Sequence, residues 1–245
     1  PLLRRILERI TGGASFYRSP TDMGVNRCGF GIVDDAAVRE AGEQEVVRRY
    51  FRYACEHVMG LVDRETVQRL ELLMDDLGLA PERRSVVAPA REAAARAQQK
   101  GKGNDGIYCG AALELADGTV VSGSNSPLLH ASAALVLNAA KRLAGLPREM
   151  DLLPPSVIQA LGHLKTEVLG GRRVSLDAEE ALIALAVSAT SNPAADAAVS
   201  RLKELRGCEV HLTHMPTPGD EAGLRKLGVN LTSEPDFATK HLFAG

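Results

Sequence analysis

Residues 110–140, GAALELADGTVVSGSNSPLLHASAALVLNAA, decide the fold. Two β-rich runs, Ile107–Leu115 and Thr119–Ser122, flank Asp117-Gly118, a dipeptide that readily takes the left-handed backbone of a tight hairpin turn. A short polar loop, Ser124-Asn125-Ser126, follows. An apolar helix is then expected from about Pro127 to Ala144, long enough to lie across the two strands. His130 falls near the start of that helix and Ser132 stands two residues on.

Beyond the hairpin and helix the chain keeps alternating. Met150–Leu153 reads as a short strand, and Pro155 is placed to open a helix at its first position, where its missing N–H costs nothing. The run SLDAEEALIALAVSA reads as a helix capped near Ser175 or Asp177, with Glu179 and Glu180 in its first turn. Another helix is expected over Pro193–Leu205, a strand over Cys208–His214, a short helix over Glu221–Leu227 and a last strand over Val229–Leu231. Strands separated by helices imply a layered α/β sheet.

The first hundred residues are helical in pattern: Leu2–Ile10, Ala36–Met59 opened by Asp34 or Asp35, Glu65–Leu77 stopped by Gly78, and Pro81–Lys100 with a break or kink at Pro89. GKGNDG at 101–106 matches a dinucleotide fingerprint letter for letter. It follows a helix and precedes a strand, the reverse of what that fingerprint needs, so it reads as a flexible junction. The expected division is a helical subdomain over 1–103 and an α/β domain over 104–245.

The chain has 245 residues, 45% of them apolar and 24% charged, which is the composition of a soluble globular protein. A net charge of −2 gives no bulk attraction to nucleic acid or anionic membrane. No apolar run reaches the roughly 18 residues that cross a bilayer. Cys28, Cys55, Cys109 and Cys208 lie far apart without paired spacing, as reduced thiols do, and this points to the cytoplasm. The chain opens on PLLRRILERI, without Met and already helical in pattern, and reads as part of a longer protein.

The chemistry must be sought at the helix starts. Zinc-dependent nucleoside deaminases carry H-x-E after such a hairpin and P-C-x-x-C at the start of a following helix, because three ligands fix the metal and a glutamate moves protons. Here His130-Ala131-Ser132 lacks the glutamate, and Pro155-Ser156-Val157-Ile158-Gln159 lacks both cysteines. A second register, Pro193-Ala194-Ala195-Asp196-Ala197, lacks them too. The topology is expected to be retained without the metal site. The helix starts near Pro127 and Pro155 are expected to converge on a metal-free pocket that favours an anion, through unpaired backbone N–H groups and helix dipoles. Ser124, Asn125, Ser126, His130, Ser132 and Ser156 would add polar contacts. Cys208, His211 and His214 have metal-like spacing, but on a strand His211 would point away from the other two. The loop Ser19–Asn26 is rich in turn and polar residues, which suits ligand contact. Lys165, Arg172 and Arg173, around a Gly-Gly loop, can meet a phosphate.

SPTDMGVN (19–26), LLHASAALVLNAAKRLAG (128–145), LKTEVLGG (164–171), ATSNPAADAAV (189–199), LRGCEVH (205–211) and LGVNLTSEP (227–235) recur in this order in one bacterial family. The chain resembles that family, the domain of unknown function eighteen forty-six, along essentially its whole length. The resemblance implies a protein about twice as long, of which this chain is the C-terminal half. It implies an N-terminal half with a glycine-rich, Gly-Lys phosphate-loop element, and a C-terminal part of three-layer cytidine-deaminase-like fold joined to a helical subdomain. The family has no established reaction, so the resemblance transfers no catalytic residue.

Together these readings predict a cytosolic enzyme half that binds a small anionic or nucleotide-like ligand and works with the N-terminal half in a nucleotide-dependent reaction. Asp22 would act as a base or metal-facing carboxylate, His130 as acid/base or hydrogen-bond donor and Lys165 as a phosphate contact. Thr21, Asn26, Ser124, Asn125, Ser126, Ser132, Ser156 and Thr166 would line the ligand. No metal or cofactor is expected in this stretch, and nucleotide is expected only in the full-length protein. A homo-oligomer is expected, with no nucleic-acid or membrane partner. The alternative is a non-catalytic oligomerisation scaffold, with Ala and Leu stripes on Pro127–Ala144 or Asp177–Ala189 packing against a second subunit.

Overall fold

The computed structural model describes residues 35–171 and 173–238. The expected helix over Leu2–Ile10, Cys28 and the Ser19–Asn26 loop with Thr21, Asp22 and Asn26 lie outside the described residues, as does Arg172.

Three helices come first. α1 (Asp35–Val58) buries Val47, Phe51 and Ala54, spaced to share one face. α2 (Arg64–Leu77) is capped by Asp63, whose carboxylate accepts the Thr66 N–H at 2.8 Å, and ends at Gly78 in the left-handed conformation (φ 64°). After a 3₁₀ turn at Pro81–Arg83, α3 runs from Val87 to Gln99. The expected break at Pro89 does not occur. Pro89 sits in the first turn of α3, where no intrahelical acceptor waits for its missing N–H. Residues 104–107 are an ordered turn: Asn104 and Ile107 exchange both backbone hydrogen bonds, and Asp105 and Gly106 between them have positive φ.

The sheet has four strands in the order β2-β1-β3-β4. β1 (Gly110–Glu114) pairs antiparallel with β2 (Val120–Ser124) on one side and with β3 (Glu209–Leu212) on the other. β4 (Asn230–Ser233) runs parallel to β3. Alternation along β1 divides the molecule into layers. Ala111 and Leu113 face α4 (Ala131–Leu143) and pack with Leu135 and Ala139. Gly110 and Ala112 face α3, packing against Ala90, and a Cβ on Gly110 would stand 2.1 Å from the Ala90 carbonyl oxygen. On the other face a Cβ on Gly123 would stand 2.4 Å from the Leu135 nitrogen. Glycines on neighbouring strands thus let a helix approach each face closely. The fold is mixed α/β, with a mixed four-stranded sheet and eight α-helices among the described residues.

Behind α4 lie α5 (Pro155–His163, continued by one π turn over Leu164–Val168), α6 (Ala178–Ala189), α7 (Pro193–Arg201, continued by a 3₁₀ turn over Leu202–Leu205) and α8 (Pro218–Leu227). The strand expected at Met150–Leu153 is not formed. Leu152 and Leu153 instead turn into a cluster with Leu137, Leu176 and Leu185, and two prolines follow at once. No helix among the described residues is long and apolar enough to cross a membrane.

Candidate functional site

Local chemistry places His130. Ser126 Oγ accepts the N–H groups of Leu128 and Leu129, closing the turn before α4. The strand-like bridge between Leu129 and Leu176 then fixes the backbone: Leu176 N–H donates to Leu128 O at 2.8 Å and His130 N–H to Leu176 O at 2.9 Å. His130 becomes the N-cap residue of α4, yet its side chain makes no capping bond. Its Nδ1 lies 2.8 Å from Asp220 Oδ2.

Asp220 is the centre of the arrangement. It occupies the first turn of α8, behind the N-cap Thr217 and Pro218, and is 0% exposed. Its Oδ2 also accepts the Thr217 hydroxyl at 2.7 Å, and its Oδ1 accepts the Ala178 N–H at 2.9 Å together with the Ser132 hydroxyl. Four donors thus fill the carboxylate. Ser132 is in the first turn of α4, Ala178 opens α6 and Thr217 caps α8, so three helix N-termini meet at one negative charge. Two glycines allow the approach. A Cβ on Gly219 would lie 2.0 Å from the Asp177 carboxylate, and one on Gly223 would lie 2.8 Å from the Glu179 nitrogen. Burial pushes the Asp220 carboxyl up, but the bond and charge of His130, with the Ser132 and Thr217 hydroxyls, outweigh it and hold it at about 2. Asp220 is therefore ionised at neutral pH and can only accept. His130 must carry a proton on Nδ1, which leaves Nε2 as the nitrogen able to take or give one.

A cavity of about 40 Å³ lies beside the pair, lined by His130, Cys109, Arg173, His214, Thr217 and the Asn104-Asp105 turn among others. It holds roughly two or three waters, or one small polyatomic group. Asn125 forms part of the wall: its Oδ1 accepts the Cys109 N–H at 2.8 Å and its Nδ2 donates to Ile107 O at 2.9 Å. Burial pushes the Cys109 thiol up to about 12, so it is no nucleophile as it stands. His214 is 4% exposed, and its Nδ1 has no hydrogen-bond partner. Burial holds His214 down at about 4, neutral at physiological pH.

Asn125, Ser126 and His130 line this cavity, and Ser132 sits behind it on Asp220. Ser124 ends β2, opposite Gly110, away from the cavity wall. The expected meeting with the start of α5 does not occur: Ser156 is exposed and outside the wall, and the helices that converge with α4 are α6 and α8. Lys165 donates to Ser175 O at 2.6 Å and pairs with Glu180 at 2.7 Å, and the Thr166 hydroxyl donates to Gly162 O. These two tie the π turn to α6 and α5. Asp22, Thr21 and Asn26 are outside the described residues. Cys208, His211 and His214 have three different surroundings. Cys208 is in the core under α4, and the His211 ring packs tilted against the Phe51 ring, centroids 4.7 Å apart, with Thr232 and Glu234 on its two nitrogens. No group of three His, Cys, Asp or Glu among the described residues is placed to hold a metal ion. Asp220 and Thr217 escape a reading of the sequence, because Thr-Pro-x-Asp looks like an ordinary helix start.

Comparison with known proteins adds the relationship. Residues 82–243 match the family model described as "Domain of unknown function DUF1846, C-terminal", and residues 1–78 match its N-terminal counterpart. The chain is 44% identical over 243 residues to a UPF0371 protein of Clostridium botulinum (strain 657 / Type Ba4) and to one of Clostridium tetani (strain Massachusetts / E88). It is 43% identical to one of Clostridioides difficile (strain 630). In each case the match covers 99% of this chain and 48% of the relative, so the chain spans about half the length of the curated relatives it matches.

Proposed function

The chain belongs to the DUF1846 family, and on that footing we propose that it binds the anionic end of a small or nucleotide-like ligand beside His130, which acts there as general acid and base. The observation that carries this reading is the 2.8 Å contact between His130 Nδ1 and a buried Asp220 whose other lone pairs are all taken. A carboxylate held in this way orients the ring and stabilises the imidazolium that forms when Nε2 takes a proton. Ala131, in the first turn of α4, forms part of the cavity wall, so the positive end of the helix dipole would lie beside a bound anion. The cavity's 40 Å³ admits a phosphate or carboxylate end and not a whole nucleotide. The rest of such a ligand would lie at the rim.

The hairpin followed by a helix, with β1 antiparallel to both neighbours, supports a cytidine-deaminase-like ancestry. In this reading His130, the counterpart of a zinc ligand, is bound to Asp220 and the pocket works without metal. Free thiols at Cys55, Cys109 and Cys208 support a cytoplasmic setting.

A thermal-shift screen of the full-length protein with nucleotides and phosphorylated metabolites tests the proposal. The expected result is stabilisation by a phosphate-bearing ligand that His130→Ala abolishes. A variant that responds as the wild type does, or the absence of any responding ligand, overturns it.

One observation favours the scaffold reading as a second function. Ile183 and Val187, one turn apart on α6, are 57% and 54% exposed, an apolar pair open to a second copy. Light scattering would show a smaller assembly for Ile183→Glu with Val187→Glu, and an unchanged mass would remove this reading.

A further inference from the structure

His211 and His214 are both buried, and they differ in one respect. Both ring nitrogens of His211 have partners, in Thr232 and Glu234. The Nδ1 of His214 is sealed from solvent with none. A buried donor or acceptor without a partner is costly, and folded proteins pair nearly all of them. His214 is also not explained by packing alone, since an apolar side chain of similar volume would fill the same space without an orphaned nitrogen. The residue lines the same cavity as His130, Arg173 and the first turn of α4. The charged groups that act on it are Asp220, His130 and His211.

We propose that His214 is a ligand-contacting residue of this cavity: its ring turns when a phosphate group enters, so that Nδ1, closed off and unpaired in the free protein, meets a phosphate oxygen. This rests on the anion-binding reading above and names the class of group bound. A phosphate fits the available volume. Its oxygens can approach His130 and His214, which both line the cavity. Because His214 is neutral at physiological pH, it adds a directional contact without adding charge, and a phosphate carrying one proton can either accept from it or donate to it. The phosphate can be free or the end of a monoester.

Calorimetric titration of the full-length protein with inorganic phosphate and, separately, with ribose 5-phosphate tests this. Binding of phosphate alone identifies the free ion as the occupant, and tighter binding of the ester identifies a phosphomonoester. In either case His214→Leu should weaken binding by more than about tenfold. His214→Asn, whose amide nitrogen stands where Nδ1 stood, should stay within about threefold of the wild type. Ligand-free His214→Leu should unfold at a temperature no lower than the wild type, since it removes a buried orphan. If His214→Leu binds as the wild type does while His130→Ala does not, His214 has no role in binding and the anion site stands. If the wild type binds neither compound, the phosphate assignment falls, and the thermal-shift screen alone decides the anion-binding reading. Should the leucine variant fail to fold, the nitrogen chemical shifts of His214 decide: unchanged shifts on saturation with phosphate overturn the proposal.

Discussion

Asp220 is a residue whose removal should be felt at once. Asp220→Asn keeps the size but turns one acceptor oxygen into a donor, facing groups that already donate. The expected loss is about 2–4 kcal/mol in urea unfolding at pH 7. Acid should expose the same group. Its folded pKa of about 2 lies below the ordinary 3.8, so its contribution is full above pH 4 and is lost as pH falls toward 2, on the order of 2 kcal/mol in all. His214 acts in a separate window. Its folded pKa of about 4 lies below the ordinary 6.5, so the unfolded chain binds the proton first and stability falls as pH drops from 6.5 to 4. That loss should be roughly 3 kcal/mol, and His214→Leu should flatten the curve there. At this scale the sequence was only half legible. His130 could be found because a helix start after a hairpin is a local pattern. Asp220 could not, because its partners lie as far as 90 residues away and its own neighbours describe a routine cap.

Elements were more legible than sites. The hairpin, α4 and the cap of α6 follow from turn chemistry and periodicity, both of which are local. Met150–Leu153 misled because an apolar run of four suits either a strand or a buried turn, and only the surrounding leucines decide. Two substitutions test the element packing. Gly123→Ala forces a methyl into the backbone of α4 at Leu135 and should cost on the order of 3 kcal/mol. It should also weaken ligand binding, because α4 carries His130 at its first cap. Asp177→Ala removes one half of a reciprocal capping box with Glu180 and should cost about 1 kcal/mol. Both are read from denaturant midpoints, and a neutral Gly123→Ala would mean that α4 is not seated on β2 as described.

Across the whole molecule, the sheet order brings together segments that the chain keeps apart. β3 lies beside β1, and the turn after it delivers His214, Thr217 and Asp220 to the starts of α4 and α6. Layering could be anticipated from alternating strands and helices. Which helix starts would meet could not, since that depends on Gly219 and Gly223 letting α8 close on α6. The bond from the Ala178 N–H to Asp220 has a practical consequence. A single backbone amide is sealed by a side chain 42 residues away, so its hydrogen can exchange with deuterium only when α6 and α8 part. The exchange rate of that one amide measures how often the site comes apart, without any knowledge of what it binds.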